Sequence, residues 1–294
     1  MTQRQAITAP ASRRRTRPLS SPANTMRAIY VVWWRDLLRY WRDRWRVGAS
    51  LAQPLLYLVI FGTGLGSTFR GAGSALGGSS IDYTQFIYPG TIGMTVLFTA
   101  IFGAMSIVWD REFGFLKELL VAPIDRSAVA IGKTLGGSTQ AMIQGLILLV
   151  LAPFVGVKLT PVTVLEIIPL IFLLAFALSA LGVAVAARMR SMQGFQVVMN
   201  FLMMPIFFLS GALFPLVGLP GWLTVLTRID PAAYGIDPLR RAVLSSSNMP
   251  APVLDRLRLT LFEQPLSTPL ECLILVLFGM VMMGLAVAAF QHRD

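Results

Sequence analysis

Charge is scarce in this sequence. Asp, Glu, Lys and Arg together make up 13% of its 294 residues, against roughly 25% in soluble domains. Hydrophobic residues account for 55%, and the mean hydropathy is +0.68. A water-soluble core of this size could not hide so much apolar surface, so lipid is the expected solvent. Cysteine and histidine are scarcer still, with Cys272 and His292 the single examples of each. No disulfide framework and no His/Cys metal cluster can be built from them, which excludes zinc-dependent hydrolysis within the membrane. Nor does any acid or base fall near the middle of a long apolar stretch. Glu166 and Glu271 lie within the first few residues of theirs, where headgroups are expected to solvate them. Proton- or sodium-driven carriers need an ion site inside the membrane, so the driving energy is expected from outside this chain. A membrane-embedded lipid-modifying enzyme is the alternative of another class. Such an enzyme needs clustered acids or histidines at one membrane face, whereas Asp110, Glu112, Glu118, Asp230 and Asp237 are scattered.

Positive charge is present, and unevenly placed. Eleven of the 25 Lys and Arg residues lie in the first 46 positions. Residues 1–26, with Arg13-Arg14-Arg15, read as a disordered basic cytoplasmic tail rather than a nucleic-acid-binding element. They lack the apolar core and cleavage site of a secretory signal. Stretches with little or no charge and about 20 residues long, enough to cross the hydrocarbon core, fall at about 47–66, 85–108, 134–157, 162–186, 195–217 and 270–290. Six spans put both termini on one side. That side carries eighteen of the 25 Lys and Arg residues, so by the positive-inside rule both termini are cytoplasmic. The expected class is an all-α, multi-pass protein of the cell (inner, cytoplasmic) membrane. Pro54, Pro89, Pro153, Pro169 and Pro205 fall inside spans, where neighbouring helices can re-satisfy the freed carbonyls.

Three segments outside the spans carry information. Residues 27–46 place Tyr30, Trp34, Leu37, Leu38, Trp41 and Trp45 on one helical stripe. Arg35, Asp36, Arg39, Arg42, Asp43 and Arg46 take the other side, as in a basic amphipathic helix lying in the cytoplasmic interface. In residues 109–128, Phe113, Leu116, Leu119 and Leu120 line one helical side, with Arg111, Glu112, Lys117 and Glu118 dispersed and Pro123 ending the helix. Such a helix suits a groove on a partner or a solvated loop equally well. In residues 211–244, Pro215, Pro220, Pro231 and Pro238 cut the chain into pieces too short to span. Phe214, Leu219, Trp222, Leu223 and Leu226 keep these pieces apolar, as in short extracytoplasmic or re-entrant helices. Gly132-Lys133-Thr134 imitates the end of a phosphate loop, but position 127 is Ser and no strand precedes it. Nucleotide binding is not expected there.

Taken in order, Phe86-Ile87-Tyr88-Pro89-Gly90, the run from Arg111 through Glu118 to Pro123 and on to Gly132-Lys133, and Phe214-Pro215 through Pro220-Gly221-Trp222 to Asp230-Pro231-Ala232-Ala233-Tyr234-Gly235-Ile236-Asp237-Pro238 resemble the transmembrane subunit of an ATP-binding-cassette exporter of the ABC-2 type, in its daunorubicin-resistance-like group. The resemblance covers residues 27–292 and implies one ABC transmembrane type-2 domain over 47–292. It implies that 27–46 is a connecting helix (Trp34, Leu37, Trp41, Trp45), and that 110–123 is a coupling helix docking on the ATPase (Arg111, Glu112, Gly114, Leu116, Lys117, Glu118, Leu119, Pro123). It places Phe214, Pro215, Pro220, Trp222, Pro231 and Tyr234 in an outer gate. Two permease subunits, identical or different, would pair with two ATP-binding subunits. ATP and magnesium would sit on the latter, with no cofactor, metal or catalytic residue on this chain. Phe115 departs from the small or polar residue common at that position. The expected cargo is a hydrophobic or amphiphilic drug, antibiotic or lipid; a polysaccharide or glycolipid is the alternative.

Overall fold

The computed structural model describes residues 22–73, 83–113, 125–157, 159–216, 218–246, 258–261 and 264–291. Helix dominates them because lipid offers the backbone no hydrogen-bond partners, so each span must satisfy its own N–H and C=O groups. In chain order the helices are α1 (Pro22–Arg42), α2 (Arg44–Gly73), α3 (Tyr83–Gly103), α4 (Met105–Glu112), α5 (Arg126–Leu151), α6 (Pro161–Ala186), α7 (Met192–Leu209), α8 (Gly221–Ile229), α9 (Ala233–Ser245) and α10 (Thr268–Gln291). A two-residue antiparallel pair, β1 (Thr260–Leu261) with β2 (Gln264–Pro265), precedes α10. Six helical segments are long and apolar enough to cross a bilayer: part of α2, α3 with α4, α5 with its terminal 3₁₀ turn, α6, α7 and α10. The protein is an all-α, multi-pass membrane protein.

Local chemistry sets several helix ends. Thr160 caps α6 by accepting from the Thr163 N–H at 3.2 Å, with Pro161 at the first helical position. Ser191 caps α7 in the same way through Gly194. Gly156, with φ of 80°, closes the 3₁₀ turn after α5. At Ala104 and Ile107 the backbone bonds reach back three residues instead of four, and this break separates α3 from α4.

Burial distinguishes helices of similar hydropathy. The α6 segment is 56% buried and packs against α3, α5, α9 and α10. The equally apolar α10 is only 28% buried. Its exposed Leu273, Leu277, Met280 and Val281 recur at helical spacing, the pattern of a lipid-facing stripe.

Several boundaries differ from the sequence expectation. The connecting helix, expected at 27–46, is α1 from Pro22 to Arg42, and Trp45 belongs to α2. The third span begins at Arg126 rather than 134, because Arg126 and Lys133 find partners that let a charged turn continue into the membrane helix. Pro238, expected to break a helix, lies inside α9. Its ring removes one bond from the helical ladder, a loss offset by the packing of the buried α9 against α3, α6 and α10. Residues 1–21 of the basic tail and His292 lie outside the described residues.

Candidate functional site

Helix α1 has two faces. Ala28, Val32, Asp36 and Tyr40, four residues apart, are buried against α5, while Tyr30, Trp34, Leu38, Trp41 and, at the head of α2, Trp45 are exposed. Leu37 is half-buried between the two faces. Close approach depends on α5: a Cβ at Gly132 would fall 2.8 Å from the Val32 side chain, and one at Gly136 3.2 Å from Asp36. Small residues at helix contacts have this role in membranes.

Charge collects where α1, α4 and α5 meet. The Lys133 ammonium is all but fully buried, as are the Asp110 and Asp36 carboxylates. Lys133 Nζ donates to Asp110 Oδ2 at 2.9 Å, to Asp36 at 3.1 Å and to Ser106 Oγ at 3.0 Å, which uses all three of its donors. Arg35 Nη2 reaches Asp110 Oδ2 at 2.9 Å and Arg39 Nη1 reaches Asp110 Oδ1 at 3.5 Å. Both arginines keep part of their surface exposed. Burying ions is repaid only where attraction and hydrogen bonds are nearly complete, as they are around Lys133. This corrects the expectation for Asp36, placed with Arg35 and Arg39 on the polar side of α1 but buried against α5, while the two arginines stay partly exposed. The amphipathic count recognised the tryptophan stripe but had no means of seeing a buried cation on α5.

The α1–α5 seam is polar further along. Trp33 Nε1 donates to Thr139 Oγ1 at 2.9 Å, and Gln140 Nε2 to the Asp36 carbonyl at 3.3 Å. Gln144 Nε2 donates to the Tyr40 hydroxyl at 2.8 Å. Every helical turn of α1 from Val32 to Tyr40 is thus tied to α5.

Arg111 and Glu112, expected on a docking surface, bond to the α6–α7 connection at the end of α4, Arg111 half-buried and Glu112 exposed. Arg111 donates to the Ala187 carbonyl at 3.0 Å and to that of Met189, just past the C-terminus of α6. Glu112 accepts from the Met192 N–H at 2.9 Å, the first residue of α7. A cation at a helix C-terminus and an anion at an N-terminus both oppose the local dipole. Gly114, Leu116, Lys117, Glu118, Leu119 and Pro123 lie outside the described residues.

Beside this junction, α1, α2, α3 and α7 enclose a cavity of about 450 Å³. Ser50, Gln53, Thr95, Thr99 and Gln196 give it uncharged polar groups, and Met94, Phe98, Phe102 and Met105 give it an apolar wall. None of its lining residues is charged.

The opposite end of the bundle is built differently. Arg240 on α9 is buried, donates to the Gly211 carbonyl, and lies over the Phe86 ring at 4.7 Å. A Cβ on Gly90 would collide with the Ala212 carbonyl, and one on Gly93 with Ile236. Tyr234 is buried and its hydroxyl donates to the Arg228 carbonyl at 2.6 Å. Phe214, Pro215 and Pro231 are half-buried, while Pro220, which caps α8, and Trp222 are exposed. The Asp230 carboxyl accepts one bond from the Ala232 N–H, and burial pushes its pKa up to about 8. Asp237 and Glu271, expected to be scattered or solvated, converge on Arg241; Asp237 lies 3.3 Å from its Nε, and Glu271 is fully buried. The short α9 brings a cation to the start of α10, a contact that linear spacing does not reveal. Sequence reading missed Lys133, Asp36, Asp110 and Arg240. The signal available for Asp110 and Lys133 was their position as charges bordering long apolar runs.

A family model described as "ABC-2 type transporter" matches residues 27–244. The transport permease ycf38 of Cyanophora paradoxa is 30% identical over 194 residues, covering 65% of this chain and 66% of that protein. Nodulation protein J of Rhizobium meliloti (strain 1021) is 28% identical over 228 residues, covering 76% and 84%. The inner membrane transport permease YadH of Escherichia coli (strain K12) is 27% identical over 228 residues, covering 76% and 85%.

Proposed function

The chain belongs to the ABC-2 type transporter family, and we propose that it is the permease half of an ATP-driven exporter. In this reading two permease subunits pair and two ATP-binding subunits dock on their cytoplasmic side. ATP and magnesium stay on those subunits. The membrane is the inner one, as the name of the Escherichia coli relative supports, and both termini are cytoplasmic, as the uneven placement of Lys and Arg supports.

The observation that carries the proposal is the buried ion cluster joining α1, α4 and α5. A push on the 114–124 segment from a docked ATPase would reach α4 directly. Arg111 and Glu112 would pass it to the α6–α7 connection, and Asp110 would pass it through Lys133 to α5 and α1. Ionic contacts between three helices resist sliding, so the helices move together. The uncharged, amphipathic cavity beside α2, α3 and α7 supports a hydrophobic or amphiphilic cargo. Its hydroxyl and amide groups favour, as a second reading, a glycolipid with a neutral hydroxylated headgroup.

Copurification tests the proposal. An ATP-hydrolysing subunit should travel with the chain, and Glu118→Arg or Pro123→Ala should uncouple hydrolysis from transport. Absence of any such subunit would end the exporter reading. Lipid conversion by the purified chain alone would replace it with an enzyme.

A further inference from the structure

At the end of the bundle away from the ion cluster, α6, α9 and α10 surround a second cavity of about 640 Å³, within the range of small-molecule sites. Pro169, Leu170 and Leu173 form one wall, and Glu166, Arg241 and Arg258 bring charge to it. The apolar wall of Pro169, Leu170 and Leu173 runs along one spanning helix, and the exposed apolar residues Leu270 and Leu273 of α10 flank the lining residue Cys272, so lipid chains can reach the cavity rim.

The balance of charge selects the ligand. Behind Arg241 stand Asp237 and Glu271, and Glu271 Oε1 takes no hydrogen bond among the described residues. The charge of Arg241 is thus already met by two carboxylates, so a ligand with only negative charge is disfavoured. Yet Arg241 and Arg258 line the same cavity, where burial and then the charge of Arg258 disfavour the Arg241 cation, and a phosphate between them relieves that repulsion. Guanidinium is the group best matched to phosphate oxygens. Glu166 is exposed and placed to take a cation at the same cavity. Both signs are wanted on one molecule that also has an apolar body.

We propose that this cavity binds the headgroup of a zwitterionic aminophospholipid, its phosphate at Arg241 and Arg258, its ammonium at Glu166, and its acyl chains along Leu170 and Leu173. The site is separate from the uncharged cavity near α2, and its occupancy requires no ATP-binding subunit.

Native mass spectrometry of the full chain in detergent tests it, with dioleoyl phosphatidylethanolamine, dioleoyl phosphatidylglycerol or the chain-free glycerophosphoethanolamine added. The wild type should retain phosphatidylethanolamine in preference to phosphatidylglycerol, and glycerophosphoethanolamine should not displace it. Glu166→Gln, at an exposed position, should weaken phosphatidylethanolamine about tenfold and spare phosphatidylglycerol. Arg258→Gln should weaken both lipids, and Leu173→Trp should block both by filling the acyl groove. Equal retention of the two lipids overturns the proposal, as does wild-type retention by both Glu166→Gln and Leu173→Trp. Displacement by glycerophosphoethanolamine as effective as by lipid would make this a soluble-phosphate site instead.

Discussion

Lys133 and Arg240 are both cations with almost no exposed surface, and their partners differ in kind. Lys133 faces two carboxylates and a hydroxyl, and one of those carboxylates is also engaged by Arg35 and Arg39. Arg240 faces a backbone carbonyl and an aromatic ring, with glycine-mediated contacts of α3 around it; burial draws its pKa below the ordinary guanidinium value. In the first arrangement several cations compete for the same oxygens, so partners can exchange while the helices stay linked. The second depends on backbone atoms and shape and has few alternatives. The difference separates a joint suited to passing on movement from one suited to holding an end fixed.

The largest effect should come from breaking the ionic end. Lys133→Met removes the one buried cation shared by Asp36 and Asp110, leaving them only the partly exposed Arg35 and Arg39, and should cost about 3–5 kcal/mol, read as a fall in thermal stability in detergent. Adding Asp110→Asn should restore part of it. At the other end, Gly90→Ala forces a methyl group against the Ala212 carbonyl and should cost roughly 1–3 kcal/mol. Gly48→Ala, with open space around it, should be neutral or slightly stabilising in the same assay.

Asp230 sharpens the contrast through pH. Its pKa is raised from 3.8 to about 8 by burial, so the folded state binds its proton more tightly than the unfolded state does. Its contribution to stability is therefore greatest below about pH 4 and is lost as the pH rises toward about 8. Asp230→Asn should flatten that decline in a series of melts across this range. Among the destabilising changes, the smallest effect belongs to the helix-end contacts of α4. Arg111→Ala and Glu112→Ala should each cost on the order of 0.5–1 kcal/mol, measured by the same melts.

The six spans were legible because membrane helices exclude charge over about 20 residues, and that signal is local. The outward tryptophans of α1 were legible for the same reason, since a helical stripe is a sequence pattern. The ion cluster was not. Asp36, Asp110 and Lys133 are 74 and 23 residues apart in sequence, and each alone reads as a loop or surface charge. Lys133 was further disguised by its resemblance to the end of a phosphate loop. Glu271 looked solvated because it lies in the first turn of α10; only α9, folding back with Arg241, buries it. Pro238 looked like a helix breaker because proline removes a backbone donor; the packing of α9 against α3, α6 and α10 that offsets the loss is a tertiary contact.

In the proposed exporter, the α1–α4–α5 cluster carries motion from the ATP-binding subunit to the spans. A cargo-independent measurement checks this: a fluorophore at Val59→Cys on the exposed face of α2, in a Cys272→Ser background, followed on ATP addition to the chain reconstituted with the proposed ATP-binding subunit. The account predicts an ATP-driven signal with the cluster intact. It predicts no signal, despite continued ATP hydrolysis, when Asp36→Asn, Lys133→Met and Asp110→Asn neutralise the cluster together. An unchanged signal in the folded, neutralised protein would contradict it.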